Sequence, residues 1–185
     1  MGEKETRAGQ LTPNRSGRMA DIQLVRLDAA VEDALANHPE YMDALVHDDW
    51  TRVADLVHQL VGRTLVPTPV SVDELQWGGY FVVDASTREV VGSCAYKARP
   101  TEDGIVEIAY FTYPGFESRG YATAMARKLI ELASGAPEVR RVIAHTLPAT
   151  NASTRVLERV GMTFMGEVND PDDGRVWRWE MRVGA

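Results

Sequence analysis

The stretch Ile105-Val106-Glu107-Ile108-Ala109-Tyr110-Phe111-Thr112-Tyr113-Pro114-Gly115-Phe116-Glu117-Ser118-Arg119-Gly120-Tyr121-Ala122-Thr123-Ala124 changes its period part-way along. Ile105 to Tyr113 is rich in β-branched and aromatic residues, the composition of a strand. From Gly120 to Ala133 the spacing is helical: Ala122, Met125, Ala126, Leu129 and Ile130 fall on one face, and Gly135 and Pro137 end it. Val139 to Leu147 is a strand again. A helix between two strands is the crossover that parallel pairing requires, so a mixed sheet with a parallel step around this helix is expected.

Where the strand meets the helix, unpaired backbone N–H groups and the positive helix end converge. Such a spot suits an anion, above all a phosphate. Gly120 and Ala122 allow close approach, and Arg119 adds a charge. A turn with one glycine also serves as a plain connection, and the loop alone does not decide between the two. It lacks the three glycines of a dinucleotide fingerprint and the Gly-Lys-Ser/Thr of a Walker loop.

Working outward, Ile22 to Leu27 reads as a first strand and Val31 to Asn37 as a helical turn or two. Between Asp43 and Val61, the residues Val53, Leu56, Val57, Leu60 and Val61 make one apolar helical stripe. Ser71-Val72-Asp73-Glu74 has capping-box spacing and opens a short helix toward Trp77. Tyr80 to Asp84, Val90 to Lys97 and Ile105 to Tyr113 read as three consecutive antiparallel strands. Thr150 to Val160 is a helix stopped at Gly161, and Thr163 to Val168 pairs with Val176 to Val183 as a final hairpin. The sum is an α/β (α+β) fold with a mixed, mostly antiparallel sheet of about seven strands flanked by about four helices. Residues 1–20 are polar and read as a flexible extension, leaving 21–185 as one domain.

Composition narrows the function. The chain has 185 residues, 44% of them hydrophobic, enough for a single core. No membrane-length apolar run or secretory signal is visible, so a cytoplasmic protein is expected. The net charge of −7 and a pI near 5.1 argue against nucleic acid as partner. The four histidines, His38, His47, His58 and His145, are scattered without zinc-ligand spacing, so no metal is expected. Cys94 reads as a small buried hydrophobe rather than a nucleophile.

Two motifs resemble one family. Arg119-Gly120-Tyr121-Ala122-Thr123 is similar to the pyrophosphate loop of the GNAT superfamily of N-acetyltransferases, and Ala152-Ser153-Thr154-Arg155-Val156-Leu157-Glu158 with Gly161 resembles its second signature. Both occur in the family's order with a strand between, and the likeness leans toward the branch of ribosomal-protein N-terminal acetyltransferases. Two positions depart from the pattern. Glu117 stands where the loop usually begins with Gln, Arg or an aromatic, and the family's pantetheine-contacting asparagine aligns with Thr150, with Asn151 one residue later.

The resemblance implies acetyl-CoA as co-substrate, lying between two splayed parallel strands, Ile105 to Tyr113 and Val139 to Leu147. Phe111 and Thr112 would hydrogen-bond pantetheine through their backbones. The N–H groups of Ser118, Arg119, Gly120, Tyr121, Ala122 and Thr123 would hold the diphosphate, with Asn151 as a further contact. Glu107 is the candidate base for the amine's proton, on the expectation that partial burial among Val106, Ile108 and Ala109 tunes it. The family often supplies a tyrosine for the leaving thiolate; none occurs between Thr150 and Val160, and Ser153 is the remaining hydroxyl, although a serine at a helix start also serves as a cap. Trp50, Trp77, Tyr80 and Tyr96 are candidate acceptor-pocket walls or core aromatics. The implied reaction is acetyl transfer to a primary amine, a small molecule or a protein N-terminus, by direct attack in a ternary complex, with a homodimer compatible. The rival reading is a non-catalytic acyl-CoA-binding module.

Overall fold

The computed structural model describes residues 20–27, 33, 37–47, 49, 52, 55–56, 77–171 and 173–184. The proposed N-terminal extension apart from Ala20, most of the 31–37 helical turn, four of the five stripe residues between Asp43 and Val61, the 71–74 capping box and Trp50 lie outside these residues.

Seven strands form one sheet: β1 (Ile22–Arg26), β2 (Gly79–Asp84), β3 (Val90–Tyr96), β4 (Ile105–Thr112), β5 (Arg141–Thr146), β6 (Thr163–Asp170) and β7 (Gly174–Arg182). Three helices are seen among the described residues: α1 (Pro39–Val46), α2 (Tyr121–Ser134) and α3 (Ala152–Arg159). The sheet order is β1-β2-β3-β4-β5-β7-β6. Every neighbouring pair is antiparallel except β4 and β5, which α2 joins as the expected crossover. The final hairpin is tighter than the sequence suggested, because pairing runs on to Asp170↔Gly174. No helix among the described residues is long and apolar enough to cross a membrane.

Alternation along the strands decides which face is which. Val106 and Ile108 of β4, Val142 and Ala144 of β5, and Trp179 of β7 are buried in one cluster with Met125 and Leu129 of α2 and Leu157 of α3. Each fully buried aliphatic side chain there contributes about 1.5–3 kcal/mol by leaving water. Polar groups in the layer are paired: the Tyr96 hydroxyl donates to the Leu129 carbonyl at 2.6 Å, and Trp179 Nε1–H to Thr146 Oγ1 at 3.2 Å. Tyr80 and Tyr96 are core residues, and the half-buried Trp77 packs edge-on to Tyr96. Cys94 is buried and unpaired, and burial pushes its thiol well above the usual range.

One buried carboxylate ties the sheet to the start of α2. Asp84, at the end of β2, accepts from Ser86 N and Oγ and from Thr87 N through Oδ1, and from the Tyr121 hydroxyl at 2.6 Å through Oδ2. Burial alone would raise this carboxyl, but the hydrogen bonds from Ser86, Tyr121 and the turn backbone outweigh it and hold it at about 2. Because the folded value lies below the unfolded one, this stabilisation is complete above the ordinary aspartate range and is lost as pH falls through about 2. Asp84→Asn is therefore expected to be less stable than the parent by about 2 kcal/mol near neutrality. Paired thermal melts should show that gap closing between pH 5 and pH 2; a gap independent of pH would contradict the assignment.

Candidate active site

The two strands joined by α2 pair only at their beginnings. Ile105, Val106 and Glu107 lie against Arg141, Val142 and Ile143, and there the pairing ends, although β4 continues to Thr112 and β5 to Thr146. Beyond Glu107 the strands part, opening a gap in the middle of the sheet. A strand needs partners for both edges, and the inner edges of 108–112 and 144–146 have no pairing strand among the described residues. Exposed apolar side chains stand at the far ends of both strands: Phe111 is 43% and Leu147 72% accessible.

Alternation identifies the residues whose backbones face the gap. Lys97 N donates to the Glu107 carbonyl and Tyr113 N to the Val91 carbonyl, so the odd-numbered residues of β4 turn their polar backbone atoms toward β3. A Cβ on Gly92 of β3 would lie 2.3 Å from the Phe111 carbonyl oxygen, which fixes that orientation directly. The expected backbone contact from Phe111 is thereby corrected: its carbonyl faces β3, and the even-numbered Ile108, Tyr110 and Thr112 face the gap. The sequence pattern gives the alternation but not its phase. Thr112 Oγ1 is also buried with no hydrogen-bond partner.

At the C-terminal end of β4 the chain turns through residues 113–120 into α2. Ser118 and Gly120 both have left-handed backbones, with φ of 62° and 91°. Among the described residues, none of the N–H groups of Ser118, Arg119, Gly120, Tyr121, Ala122 and Thr123 has a partner; the first helical bond runs from Ala124 N to the Gly120 carbonyl. Successive free amides around left-handed residues, at the positive end of a fourteen-residue helix, form an anion cradle. Nothing lies within 4 Å of where a Gly120 Cβ would be, so the glycine answers to backbone conformation and leaves the cradle open.

The side chains of this loop brace it. Glu117, whose carboxylate is ill-suited to a diphosphate, folds back so that Oε2 accepts from Gly115 N at 2.7 Å. Arg119 stacks on Phe116, its guanidinium carbon 5.4 Å from the ring centre. Tyr121 is turned inward to Asp84 and offers the cradle only its N–H.

α3 begins beside the gap. Asn151 caps it in a capping box, with Oδ1 accepting from Thr154 N at 3.1 Å and Thr154 Oγ1 accepting from Asn151 N at 3.0 Å. Ser153 is therefore not the cap, and its hydroxyl has no partner among the described residues. The Tyr110 hydroxyl is 3.4 Å from the Ser153 carbonyl, which sets the first turn of α3 against the open part of β4.

The opposite face of the sheet, away from α2 and α3, carries charge at the vertex of the gap. Glu107 does not sit alone among apolar neighbours as its flanking residues suggested. Its Oε1 is 2.8 Å from Lys97 Nζ and 3.1 Å from His145 Nδ1, and Lys97 is shared with Asp173 at 3.5 Å. The hydrogen bond to Glu107 raises the Lys97 ammonium above its ordinary value, against a smaller opposing effect of burial. His145 lies two residues beyond Ile143 on β5, on the same face as Glu107, with Asp170 Oδ2 3.9 Å away. Sequence reasoning passed over Lys97, His145 and Asp170. Period-two alternation places Glu107 and His145 on one face only once the parallel register is known.

The Acetyltransferase (GNAT) domain family matches residues 22–163. The uncharacterized N-acetyltransferase YjdG of Bacillus subtilis (strain 168) is 29% identical over 82 residues, 44% of this chain and 49% of that protein. Aminoglycoside acetyltransferase AAC(6')-Ib in complex with coenzyme A superposes with a TM-score of 0.50 at 21% identity, over 56% of this chain and 65% of that one. The ribosomal-protein-S5-alanine acetyltransferase of Vibrio fischeri gives a TM-score of 0.50 at 16% identity, over 56% and 60%. The chain thus spans about half the length of the Bacillus protein and under two thirds of either solved chain. At these identities the solved structures speak for the fold.

The cap on α3 has a measurable weight. Asn151→Ala should lower stability by about 1 kcal/mol in urea unfolding, the usual cost of losing an N-cap. Ser153→Ala, which touches no cap, should leave the urea midpoint within experimental error; the reverse order would mean that the first turn of α3 is held differently.

Proposed function

The chain belongs to the GNAT acetyltransferase family, and from that premise we propose that it moves an acetyl group from acetyl-CoA to a primary amine by direct attack in a ternary complex. The observation that carries this reading is the parting of β4 and β5 after Glu107 and Ile143, with a row of unpartnered amides at its mouth. The residues present suit the co-substrate. The amides of Ser118 to Thr123 would grip the diphosphate, the gap-facing backbones of Tyr110 and Thr112 would bond the pantetheine amides, and Phe111 and Leu147 would cover its apolar stretches. Asn151, at the entrance of α3, flanks the same path.

Catalysis then rests on holding the amine and the thioester carbonyl together, with the carbonyl polarised by backbone donors. An alkylammonium must lose a proton before it can attack, and Glu107 belongs to the charged group at the vertex where that proton would leave. Ser153, whose hydroxyl is not spent on capping, is the donor offered to the departing thiolate. The acceptor is kept as a class. The solved neighbours are named for an aminoglycoside in one case and a ribosomal-protein alanine in another, so the ribosomal-protein branch is one of several that the fold accommodates.

Gly120→Val tests the donor side, since it adds a β-branched side chain where the backbone is left-handed and the cradle open. By calorimetry, the Kd for CoA should weaken at least about tenfold, the effect of losing roughly 1.4 kcal/mol of binding energy. For the acceptor side, thiol release from acetyl-CoA is followed with an aminoglycoside, a peptide with N-terminal alanine and an aliphatic diamine. Amine-dependent release supports the transferase; tight CoA binding with no release on any amine would instead favour a sensing module.

A further inference from the structure

The imidazole of His145 is held as a catalytic base would be held. Its Nδ1 lies 3.1 Å from Glu107 Oε1 and 3.9 Å from Asp170 Oδ2. An ionised carboxylate can only accept, so Nδ1 donates and carries the ring hydrogen; in the neutral ring the lone pair is then on Nε2. Nε2 is buried and has no hydrogen-bond partner among the described residues. A buried acceptor left without a donor costs about 1–3 kcal/mol. An N–H or a water that reaches the atom removes that cost. Such orphans call for an explanation, and a catalytic role is one that chemistry offers.

Position supports the same reading. Glu107 and Ile143 are the last parallel partners before the strands separate. His145, one pleat further along β5, therefore stands at the vertex of the gap on the face that carries the charged side chains. Glu107 is poorly placed to act as the base itself, because its Oε1 is already shared between Lys97 and His145.

We infer that His145, through Nε2, takes the proton from the acceptor amine, and that Glu107 is the positioning residue that fixes its tautomer and ring orientation. This rests on the acetyl-transfer reading above. Nε2 removes one proton from the ammonium, directly or through one water, and the freed nitrogen lone pair forms the C–N bond at the acetyl carbonyl. The C–S bond breaks, and the electron pair leaves with the CoA sulfur. The nitrogen's second proton passes to that thiolate, by way of the Ser153 hydroxyl, and the imidazolium returns the first to solvent. Amide, CoA thiol and one released proton balance the ammonium and the thioester consumed.

Several charges bear on the ring. Glu107 faces it from β4 and Asp170 from β6, with Lys97 behind Glu107. On β7, Arg178 is its register partner and is itself paired to Glu180 at 2.7 Å, which also meets Arg141 at 3.9 Å.

The test uses His145→Asn, whose side-chain amide keeps an N–H for Glu107 and removes the lone pair at the Nε2 position. On the amine that the parent acetylates, kcat/KM should fall by about 100-fold or more and lose its acidic limb, while the Kd for CoA stays unchanged. Glu107→Gln, whose amide oxygen can still accept from Nδ1–H, should keep an acidic limb. If instead the Asn variant retains the limb and Glu107→Gln abolishes it, Glu107 is the base and the inference falls. A second readout does not depend on turnover: long-range 15N–1H spectra of the imidazole in the intact parent protein should show hydrogen on Nδ1 and a bare Nε2. The opposite tautomer would overturn the assignment whatever the kinetics. Should the parent acetylate none of the three amines, it is the transferase reading that fails, and the role of His145 as its base fails with it.

Discussion

The parting of β4 from β5 is the constraint to which the rest of the molecule answers. A sheet interior is the costliest place to leave backbone groups unpaired, since each buried N–H or C=O without a partner forfeits a hydrogen bond's worth of stability. Three residues of parallel pairing followed by divergence is therefore not a default of sheet geometry. It persists because both strands are anchored on their outer edges. β4 is paired with β3 from Ile108 to Thr112, and β5 with β7 along its whole length. The outer ladders hold the strands in place while the inner edges stay open for an extended polar ligand that can supply the missing partners.

That opening gives the helix ends their meaning. α2 and α3 both begin at the gap, and both beginnings are fixed by contacts that leave the functional groups free. Tyr121 anchors the first turn of α2 through Asp84, so the amides of the preceding loop need no internal partners to stay in place. Asn151 and Thr154 satisfy the start of α3 between them, which releases Ser153 from capping. Even the awkward Glu117 is absorbed by the loop's own backbone at Gly115 rather than left facing the cradle. Preorganisation of this kind means that binding is not charged with ordering the site.

Strand and helix order was legible in the sequence because period is a local property. The change at Gly120 and the stops at Gly135 and Gly161 located α2 and α3, and with them the parallel step between β4 and β5. The turn that leads into α2 was legible for the same reason, since strand, turn and helix are consecutive. What could not be read was anything that depends on phase or register. Whether Phe111 or Thr112 faces the gap turns on which way β4's first carbonyl points, and Ile105 to Tyr113 looks the same either way. The partners of Glu107 are Lys97, ten residues earlier, and His145, far along the chain, so its flanking Val106 and Ile108 gave a misleading picture of its surroundings. His145 was passed over because a histidine without a nearby ligand-spaced neighbour carries no local signal, and its partner is brought to it only by the parallel pairing.

The two faces of the sheet divide the chemistry for a physical reason. On the side of α2 and α3 the strands bury Val106, Ile108, Val142 and Ala144, and no charge could be kept there without a large desolvation cost. Charged groups fall to the other face, where alternation delivers Glu107 and His145 from two strands at the point where they separate. There Lys97 and Asp170 lie beside them, and the gap joins the apolar layer to the charged one. A single structural decision, where the parallel pairing stops, thus sets the position of the open edges and that of the imidazole together. Moving the last pair one residue along would bring the opposite pleat to the vertex and leave the charged side chains out of reach.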